Sequence, residues 1–435
     1  MMKITVIGCG YVGLVTAACL ADFGHTVTGV DIDPAKIALL KKGTSPIYEK
    51  DLTPLITANI QRKRLFFQTS LESSIKDAEV VFIAVGTPSL RSGAADMEQV
   101  MAVAAGLAKY IKDYKVIVNK STVPIGAGKQ VRKIIQDRLG ADIEFDVVSN
   151  PEFLREGYAV KDFKEPDRVV IGTDSPQAQR VMARVYEELI KKGIPYIQTN
   201  LESAELIKYA SNAFLATKIT FINEIANLCE AVGAEISTVA RCMGLDTRIG
   251  PQFLAAGPGY GGSCFPKDTR ALAHIGRTSG VPLTIVETVI TANEEQKARM
   301  VRKIEDAVGS LQGKTLGLLG LAFKPGTDDL RESPAITIIN KLLADDALIK
   351  AYDPQAMKEA EKVFGKTISY CVDPYTAAKD AEALVIITDW EEFRSLDFTQ
   401  LRKVMASPTL IDLRNLFTPD EIKKHGFRYK SVGRG

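Results

Sequence analysis

A glycine-rich turn near the start of the chain constrains the possible folds more than any other segment. Lys3–Ile7 reads as a short apolar strand and runs into the turn Gly8-Cys9-Gly10-Tyr11-Val12-Gly13. An apolar helical pattern follows from Leu14 to Phe23, then a second strand, His25–Val30, and then Asp31. A GxGxxG sequence between a strand and a helix, with an acid after the next strand, is typical of a dinucleotide-binding β-α-β unit.

The turn also predicts how a dinucleotide would bind. Its glycines let a pyrophosphate approach the backbone N–H groups at the start of the helix. A carboxylate at the position of Asp31 accepts hydrogen bonds from the adenosine ribose and repels a 2′-phosphate, so we expect NAD rather than NADP. The alternative is a glycine turn that binds no ligand.

Two further buried strands, Glu79–Val85 and Lys115–Lys120, continue the α/β alternation. Ligands of such sheets bind beyond the carboxyl ends of the strands. Thr87 and Thr122 follow these two strands, so we expect them near the cofactor or the substrate. A hydroxyl at a strand end is also common as a simple turn or cap, and the sequence leaves that interpretation open.

Two glutamates follow the next strand, Asp146–Ser149. We predict that Asn150 caps a short helix and that Pro151 starts it. Glu152 and Glu156, four residues apart, would then share one face of that helix. Adjacent like charges are unfavourable unless they have a partner or a function. The alternative is a solvated helix start, where acids are favourable.

Residues 201–232, Leu201 to Val232, are predicted to form one long helix, because the segment contains neither proline nor glycine. Its many apolar residues leave little purely polar surface, which is typical of a helix between domains or subunits. Lys208 and Asn212 are four residues apart on one face and can converge on one ligand. Alone, Lys208 could also be a surface lysine whose aliphatic stem covers apolar groups.

The segment Gly259–Asp268 places a cysteine between a glycine-rich run and a helix start. Glycines allow a substrate to approach the backbone closely, and Pro266 suits the first helical position before the helical run Lys267–Ala273. Cys264 would lie at the positive end of the helix dipole with Lys267 three residues on, and both effects favour a nucleophilic thiolate. The alternative, a buried structural cysteine, is disfavoured by the glycine-rich and charged surroundings.

A second α/β region begins after a helix, Leu283–Val308, and the boundary Gly309–Gly313. Its strands are Thr315–Gly320, Ile349–Pro354 and Ala383–Asp389, and it lacks a GxGxxG turn. We therefore predict an α/β fold with two Rossmann-like, doubly wound domains joined by a long central helix in a helical dimerisation region. The predicted domains are 1–200, 201–308 and 309–435.

A charged loop follows the first strand of this second region. Its cations, Lys324 and Arg331, could contact phosphate or sugar.

Composition excludes several classes of function. The net charge is +2 and no basic block occurs, so nothing indicates binding to nucleic acid or to an anionic membrane. The start of the chain does not resemble a signal peptide, and no apolar run reaches the length of a membrane span. The six cysteines are scattered without a CxxC pair, which argues against a metal site and a disulfide framework and favours a cytoplasmic protein.

Taken together, the motifs resemble the UDP-glucose/GDP-mannose dehydrogenase family over nearly the whole chain. The matching segments, in order, are GCGYVG (Gly8–Gly13), KSTVPIG (Lys120–Gly126), NPEFLREG (Asn150–Gly157), Lys208 and Asn212 on their helix, GPGYGGSCFPKD (Gly257–Asp268) and AFKPGTDDLRESP (Ala322–Pro334). Ser263 stands where members that oxidise N-acetylamino sugars typically have histidine, so the chain follows the glucose-type pattern.

The resemblance implies the oxidation of UDP-glucose to UDP-glucuronate, with GDP-mannose or another nucleotide sugar as the alternative substrate. Conversion of a primary alcohol to a carboxylate removes four electrons and therefore needs two NAD. Cys264 would hold the intermediate aldehyde as a thiohemiacetal, whose oxidation gives a thioester that water cleaves.

The resemblance also implies catalytic roles for other residues. Lys208 and Asn212 would stabilise the developing oxyanion. Asp268 and Thr122 would take protons through an ordered water. Glu152 would assist thioester hydrolysis, and Glu156 would lie near that water and the nicotinamide.

Two sets of binding residues follow from the resemblance. The implied NAD-binding residues are Gly8, Gly10, Tyr11, Val12, Gly13, Asp31, Lys36, Thr87, Thr122, Glu156, Lys267 and Arg331. The implied substrate-binding residues are Glu152, Phe153, Leu154, Arg155, Glu156, Lys208, Asn212, Arg248, Phe253, Leu254, Ala255, Ala256, Gly257, Gly261 and Lys324. Arg248 is implied to reach the sugar bound by a neighbouring subunit, so a homodimer or higher homo-oligomer would be part of the site.

Two other classes of function remain open on the sequence. The first is a nucleotide sensor that binds NAD without turnover, although a sensor has no need of an activated thiol. The second is a simpler NAD dehydrogenase that performs one oxidation, such as a hydroxyacid enzyme.

Overall fold

A computed structural model of the chain describes residues 1–139 and 143–434. They form two compact units: Met1–Ser211 with His274–Gly280, and Asn212–Ala273 with Val281–Gly435. The predicted α/β class is confirmed, because each unit is built on a largely parallel sheet flanked in sequence by helices. The division into domains 1–200, 201–308 and 309–435 stays a prediction.

The first unit contains an eight-stranded sheet in the order β3-β2-β1-β4-β5-β6-β7-β8. Its strands are β1 (Lys3–Ile7), β2 (Thr26–Val30), β3 (Leu65–Gln68), β4 (Val80–Ile83), β5 (Lys115–Asn119), β6 (Phe145–Ser149), β7 (Val169–Gly172) and β8 (Tyr196–Thr199). All neighbours are parallel except β6 and β7. The strand order reverses between β1 and β4, and ligands of such sheets bind beyond the carboxyl ends at that reversal.

Helices alternate with these strands along the chain. They are α1 (Tyr11–Asp22), α2 (Pro34–Lys41), α3 (Leu52–Gln61), α4 (Leu71–Ile75), α5 (Glu98–Leu107), α6 (Ala127–Gln136), α7 (Ala159–Lys164), α8 (Pro176–Val185) and α9 (Glu187–Lys191). Every residue of β4 and β5 is buried, which explains why their apolar residues, Val80–Ile83 and Val116–Val118, are consecutive rather than alternating.

One predicted helix is wrong. No helix begins at Pro151, and the next one, α7, starts only at Ala159. Asn150 does not cap, because its side chain accepts hydrogen bonds from Lys120 and Tyr186 and donates to the carbonyl of Val170. Glu152 and Glu156 therefore do not share a helical face.

The long helix is confirmed as α10 (Leu201–Val232), which begins in the first unit and ends in the second. The second unit adds α11 (Ile236–Leu245), α12 (Phe265–Thr278, whose end returns to the first unit), α13 (Thr284–Val308), α14 (Pro334–Ala344), α15 (Met357–Phe364), α16 (Pro374–Ala378), a 3-10 helix (Glu391–Ser395), α17 (Phe398–Val404) and α18 (Pro419–Lys424).

The sheet of the second unit has six parallel strands in the order β11-β10-β9-β12-β13-β14. They are β9 (Thr315–Leu319), β10 (Leu348–Tyr352), β11 (Ser369–Tyr370), β12 (Ala383–Ile386), β13 (Thr409–Asp412) and β14 (Arg428–Ser431). The strands β9 to β14 thus occupy the same order in their sheet as β1 to β6 do in the first sheet. The expected second Rossmann-like sheet is confirmed.

Candidate active site

The three glycines of the first turn have different structural reasons. Gly8 has φ +95°, and a Cβ there would lie 2.6 Å from the carbonyl oxygen of Ala84. A Cβ on Gly13 would lie 1.8 Å from the carbonyl oxygen of Gly8. At Gly10, which immediately precedes α1, a Cβ would meet nothing within 4 Å. Packing therefore requires the first and third glycines, whereas the second leaves open space where a pyrophosphate can reach a helix start.

This difference predicts opposite outcomes for two alanine variants. Gly10→Ala is expected to raise the Kd for NADH at least tenfold, about 1.4 kcal/mol, with an unchanged unfolding midpoint. Gly13→Ala is expected to destabilise the fold by roughly 1–3 kcal/mol or more through overpacking. NADH fluorescence titration and thermal unfolding measure the two effects. Unchanged NADH affinity in a folded Gly10→Ala variant would contradict the assigned site.

Asp31 follows β2 as an ionised acceptor. One carboxylate oxygen accepts hydrogen bonds from the Cys9 N–H at 2.9 Å and from Lys36 Nζ at 2.9 Å, and the other accepts from the Asp33 N–H. Burial opposes ionisation, but the hydrogen bonds from Lys36, Asp33 and Cys9 outweigh it and hold the pKa of Asp31 below its ordinary value. The residues beside the open turn thus fit the ribose end of NAD.

The two threonines at the strand ends are joined. Thr87 is buried, and its hydroxyl donates a hydrogen bond of 2.9 Å to the carbonyl oxygen of Thr122. That bond ties the loop after β4 to the loop after β5, so Thr87 has the structural role that the sequence left open. A contact between Thr87 and the cofactor stays a prediction.

A buried ion pair joins α10 to the loop after β6. Lys208 Nζ donates to Glu152 Oε1 at 2.8 Å, and the two side chains are 4% and 5% exposed. Lys208 is therefore not a surface lysine. Burial alone would raise the pKa of Glu152, but the ammonium of Lys208 outweighs it and holds that pKa below its ordinary value.

Lys120 is a second buried lysine, and it interacts electrostatically with Glu152 and Lys208. Lys120 Nζ donates to Asn150 Oδ1 at 3.1 Å, and burial lowers the pKa of Lys120 to about 8, against the opposing effect of Glu152. The sequence identifies the motif that contains Lys120. It does not identify the partners of Lys120, because they lie on other segments of the chain.

The remainder of the NPEFLREG loop is held by aromatic and ionic contacts. The Arg168 guanidinium lies 3.7 Å from the centre of the Phe153 ring, and Lys208 Nζ lies 5.6 Å from it. Leu154 donates its N–H to Glu152, and Arg155 binds Asp162 through two nitrogens, so Arg155 is engaged within the protein. Glu156 is buried.

In the second unit, Cys264 directly precedes α12, as the sequence predicted. Its carbonyl accepts the Asp268 N–H at 2.8 Å, the first turn of the helix, and its Sγ lies 3.5 Å from the hydroxyl of Ser263. The side chain is half-buried. Cys264 thus lies at the N-terminal end of the α12 dipole, the position that the sequence predicted.

The Asp268 carboxylate binds two side chains of the predicted site, Asn212 and Lys267. It is fully buried; one oxygen accepts from Asn212 Nδ2 at 2.6 Å, and the other accepts from Lys267 Nζ at 2.7 Å. The charge of Lys267 is therefore shared with Asp268, which leaves less of it to stabilise a thiolate than the sequence suggested.

The glycines before Cys264 are required by packing within the second unit. A Cβ on Gly261 would lie 2.4 Å from the carbonyl oxygen of Glu332, and one on Gly262, at φ +86°, would lie 2.7 Å from the Phe323 ring. Gly262 N–H donates to the carbonyl oxygen of Arg331 at 2.8 Å. The cysteine loop is thus held against the loop that contains Lys324, whose ammonium lies 5.4 Å from the centre of the Phe323 ring.

The segment Phe253–Gly257 is also anchored in the second unit. Phe253 adopts φ +64°, and Leu254 and Ala256 are buried whereas Ala255 is exposed. Gly257 donates its N–H to Asn223 Oδ1 at 2.8 Å and accepts from Gln296 Nε2 at 2.9 Å.

Two implied binding residues, Arg248 and Arg331, lie on the surface. Arg248 is 87% exposed and pairs with Asp246, and Arg331 pairs with Asp329. Their ligand contacts stay predictions.

Among residues 1–139 and 143–434, no cluster of three or more His, Cys, Asp and Glu side chains is arranged to hold a metal ion. Over the same residues, no helix has both the length and the apolar character needed to cross a membrane.

Comparison with known proteins assigns the family. Profiles of the UDP-glucose/GDP-mannose dehydrogenase family match the chain at its NAD binding domain (residues 2–190), central domain (202–295) and UDP binding domain (317–419). The chain belongs to this family. It is accordingly an NAD-dependent dehydrogenase, and the family recognised from the sequence motifs is confirmed.

Individual relatives of this family match along their full length. A Rhizobium meliloti protein named UDP-glucose 6-dehydrogenase is 51% identical, with 100% of each chain covered. A Bacillus subtilis protein named UDP-glucose 6-dehydrogenase TuaD is 48% identical, covering 100% of this chain and 94% of the relative. A solved UDP-glucose dehydrogenase from Pyrobaculum islandicum has a TM-score of 0.92 at 37% identity, covering 100% and 98% of the two chains.

Proposed function

We propose that this dehydrogenase oxidises UDP-glucose to UDP-glucuronate with two NAD, through a thiohemiacetal and a thioester on Cys264. The substrate is supported by the names of the full-length relatives above. The chemistry is supported by one observation above others: a half-buried cysteine directly precedes a 14-residue helix, beside a buried carboxylate. The glycine turn and Asp31 would hold NAD, which would supply the hydride acceptor for each oxidation.

In the proposed mechanism, Cys264 Sγ adds to the aldehyde carbon formed by the first oxidation. The aldehyde oxygen becomes an oxyanion, which Lys208 and Asn212 stabilise, and loss of a hydride from the same carbon leaves a thioester. Lys208 and Asn212 are one turn apart in α10, which supports a shared ligand.

We assign proton transfer to carboxylates of the predicted catalytic set. Asp268, with Thr122 and a water, takes the proton of the alcohol. Glu152 assists the water that cleaves the thioester, since the Lys208 ammonium keeps it ionised, and Glu156 lies near that water. The NAD-binding and substrate-binding sets named from the resemblance remain part of this proposal.

Counting NADH per substrate tests the proposal. With limiting UDP-glucose and excess NAD, two NADH and one glucuronate product are expected for each sugar consumed. One NADH would indicate a single-oxidation dehydrogenase, and none would indicate a sensor or another substrate. A panel of UDP-glucose, UDP-galactose, GDP-mannose and N-acetylamino sugars under the same conditions ranks the substrates.

We also propose a homodimer that forms through α10. Phe214, Phe221 and Leu228 recur every seven residues, so they lie on one face, and all three side chains are exposed in the second unit. A second copy of the chain would bury this stripe. The exposure of Arg248 supports its implied role at the neighbouring subunit's sugar.

Phe221→Glu is expected to weaken the dimer by at least about 100-fold, roughly 3 kcal/mol, because a charge would replace a buried ring. Sedimentation equilibrium measures this, and Val372→Glu, at another exposed apolar position, is the control.

Mixed dimers of inactive Arg248→Ala and inactive Cys264→Ser chains should regain one working site each. No recovery in verified mixed dimers would contradict the shared site.

A further inference from the structure

A buried glutamate on α10 joins three separate segments of the first unit. Glu205 is 3% exposed. One carboxylate oxygen accepts the Gly126 N–H at 2.6 Å, and the other accepts the Gly128 N–H at 2.8 Å and the Ser149 hydroxyl at 3.0 Å. These contacts bring α10, the start of α6 and the end of β6 to a single carboxylate.

Each joined segment contains, or lies a few residues from, a residue to which the proposed function gives a catalytic role. Gly126 and Gly128 follow the loop with Thr122, and Ser149 is the last residue of β6, three positions before Glu152. Glu205 itself lies less than one turn before Lys208 in α10. A shift of any one segment against the others would therefore change how these groups meet a substrate.

We propose that Glu205 is a positioning residue that sets Thr122, Glu152 and Lys208 in register for catalysis, an inference that rests on the proposed function. Glu205 does not itself contact the substrate. Its three hydrogen bonds act on the backbone and side chains that place the catalytic groups.

The way in which α6 begins supports this inference. Its N-cap residue is Gly126, whose lack of a side chain means that no local cap forms, and Glu205 supplies the acceptor from a distant part of the chain. A Ser or Asp at position 126 could supply a local acceptor for helix stability alone. A carboxylate at a helix start is also favoured by the helix dipole, so the link is strong as well as specific.

The packing around Glu205 leaves little freedom. A Cβ on Gly128 would lie 2.9 Å from Leu201, 3.1 Å from Glu205 Oε1 and 3.3 Å from the Ser149 hydroxyl. Burial raises the pKa of Glu205, which the hydrogen bonds from Gly128, Gly126 and Ser149 oppose. The carboxylate is thus enclosed and held by donors from two other segments.

The same helix offers a matched control. Glu202, one turn before Glu205, also connects α10 to α6 through an ion pair with Lys129, but both side chains of that pair are partly or largely exposed. Exposed ion pairs contribute little to stability or placement. Glu205→Gln and Glu202→Gln therefore make the same chemical change at a buried and an exposed link between the same two helices.

The test compares kcat, KM and the pH profile of both variants with the wild type, well below their unfolding midpoints. Small displacements of catalytic groups can cost about 100-fold. Glu205→Gln is expected to lower kcat at least tenfold and to shift the limbs of the kcat–pH profile, while NADH affinity stays within twofold. Glu202→Gln should retain wild-type kcat and pH profile.

A purely structural role gives a different result. If Glu205→Gln lowers the unfolding midpoint but keeps wild-type kcat and pH profile when folded, the proposal is overturned. Should this variant fail to fold, Ser149→Ala removes one of the three contacts, and a severalfold loss of kcat is then expected. An unchanged kcat in Ser149→Ala would overturn the proposal equally.

The assay uses whichever nucleotide sugar of the panel the wild type oxidises. If the proposed substrate is wrong, the substrate panel shows this with the wild type, without any variant of Glu205. An error about Glu205 appears as a folded variant whose kcat equals that of the wild type.

Discussion

Replacement of Cys264 by serine is expected to stop glucuronate formation, with a loss of at least about 1,000-fold in the rate of complete oxidation. A serine hydroxyl has a much higher pKa than a thiol, so at neutral pH it cannot supply the anion that adds to the aldehyde carbon. The helix dipole of α12, which favours a thiolate at this position, is too weak to ionise an alcohol.

The measurement is NADH formation together with mass-spectrometric detection of UDP-glucuronate. Cys242→Ser is the control, because Cys242 is an exposed thiol on α11 and lies outside the proposed site. It should retain wild-type activity. A Cys264→Ser protein that completed both oxidations at a rate near the wild type would show that the reaction needs no covalent sulfur intermediate.

Replacement of Lys208 by methionine should remove activity and stability together. The substitution leaves Glu152 buried without the ammonium at 2.8 Å, and breaking a buried pair in this way costs about 3–5 kcal/mol. The proposed oxyanion partner is lost as well, so kcat should fall by about 100- to 1,000-fold. Lys218→Met is the matched control. Lys218 lies on the same helix, and in its described contacts its ammonium donates only to a backbone carbonyl.

The stability loss should depend on pH. In the wild type, Lys208 holds the pKa of Glu152 below its ordinary value, so the pair contributes stability above the unfolded pKa and loses it as pH falls through the folded pKa. Without Lys208, burial raises the pKa of Glu152. The difference in unfolding free energy between variant and wild type should therefore be largest near neutral pH and shrink as the solution is acidified.

Denaturant unfolding at several pH values measures this difference. A Lys208→Met/Glu152→Gln double variant removes the buried charge, so its stability loss at neutral pH should be smaller than that of Lys208→Met. Position 152 should then contribute no pH dependence to the double variant's own unfolding free energy. A Lys208→Met protein with wild-type stability at neutral pH would contradict the burial of the pair.

The elements that local sequence information specifies agree with their predictions. The GxGxxG turn, Asp31 after β2, the uninterrupted helix Leu201–Val232 and the position of Cys264 before a helix are confirmed, because turn geometry, helix propensity and proline placement act within a few residues. The helix predicted at Pro151 is wrong, although the local pattern for a helix start is present there. Asn150 is bound by Lys120 and Tyr186 instead, and neither partner is a neighbour in sequence.

The sequence by itself thus determined the fold class, the family, the glycine turn before α1 and the position of the thiol at a helix start, since each depends on short-range order or on motif identity. Only the tertiary structure decided the partners of the charged groups: Lys208 with Glu152, Asn212 and Lys267 with Asp268, and Glu205 with the start of α6. The physical reason is that the ionisation and placement of a buried charge depend on groups brought close by folding. The spacing of residues along the chain does not specify those distances.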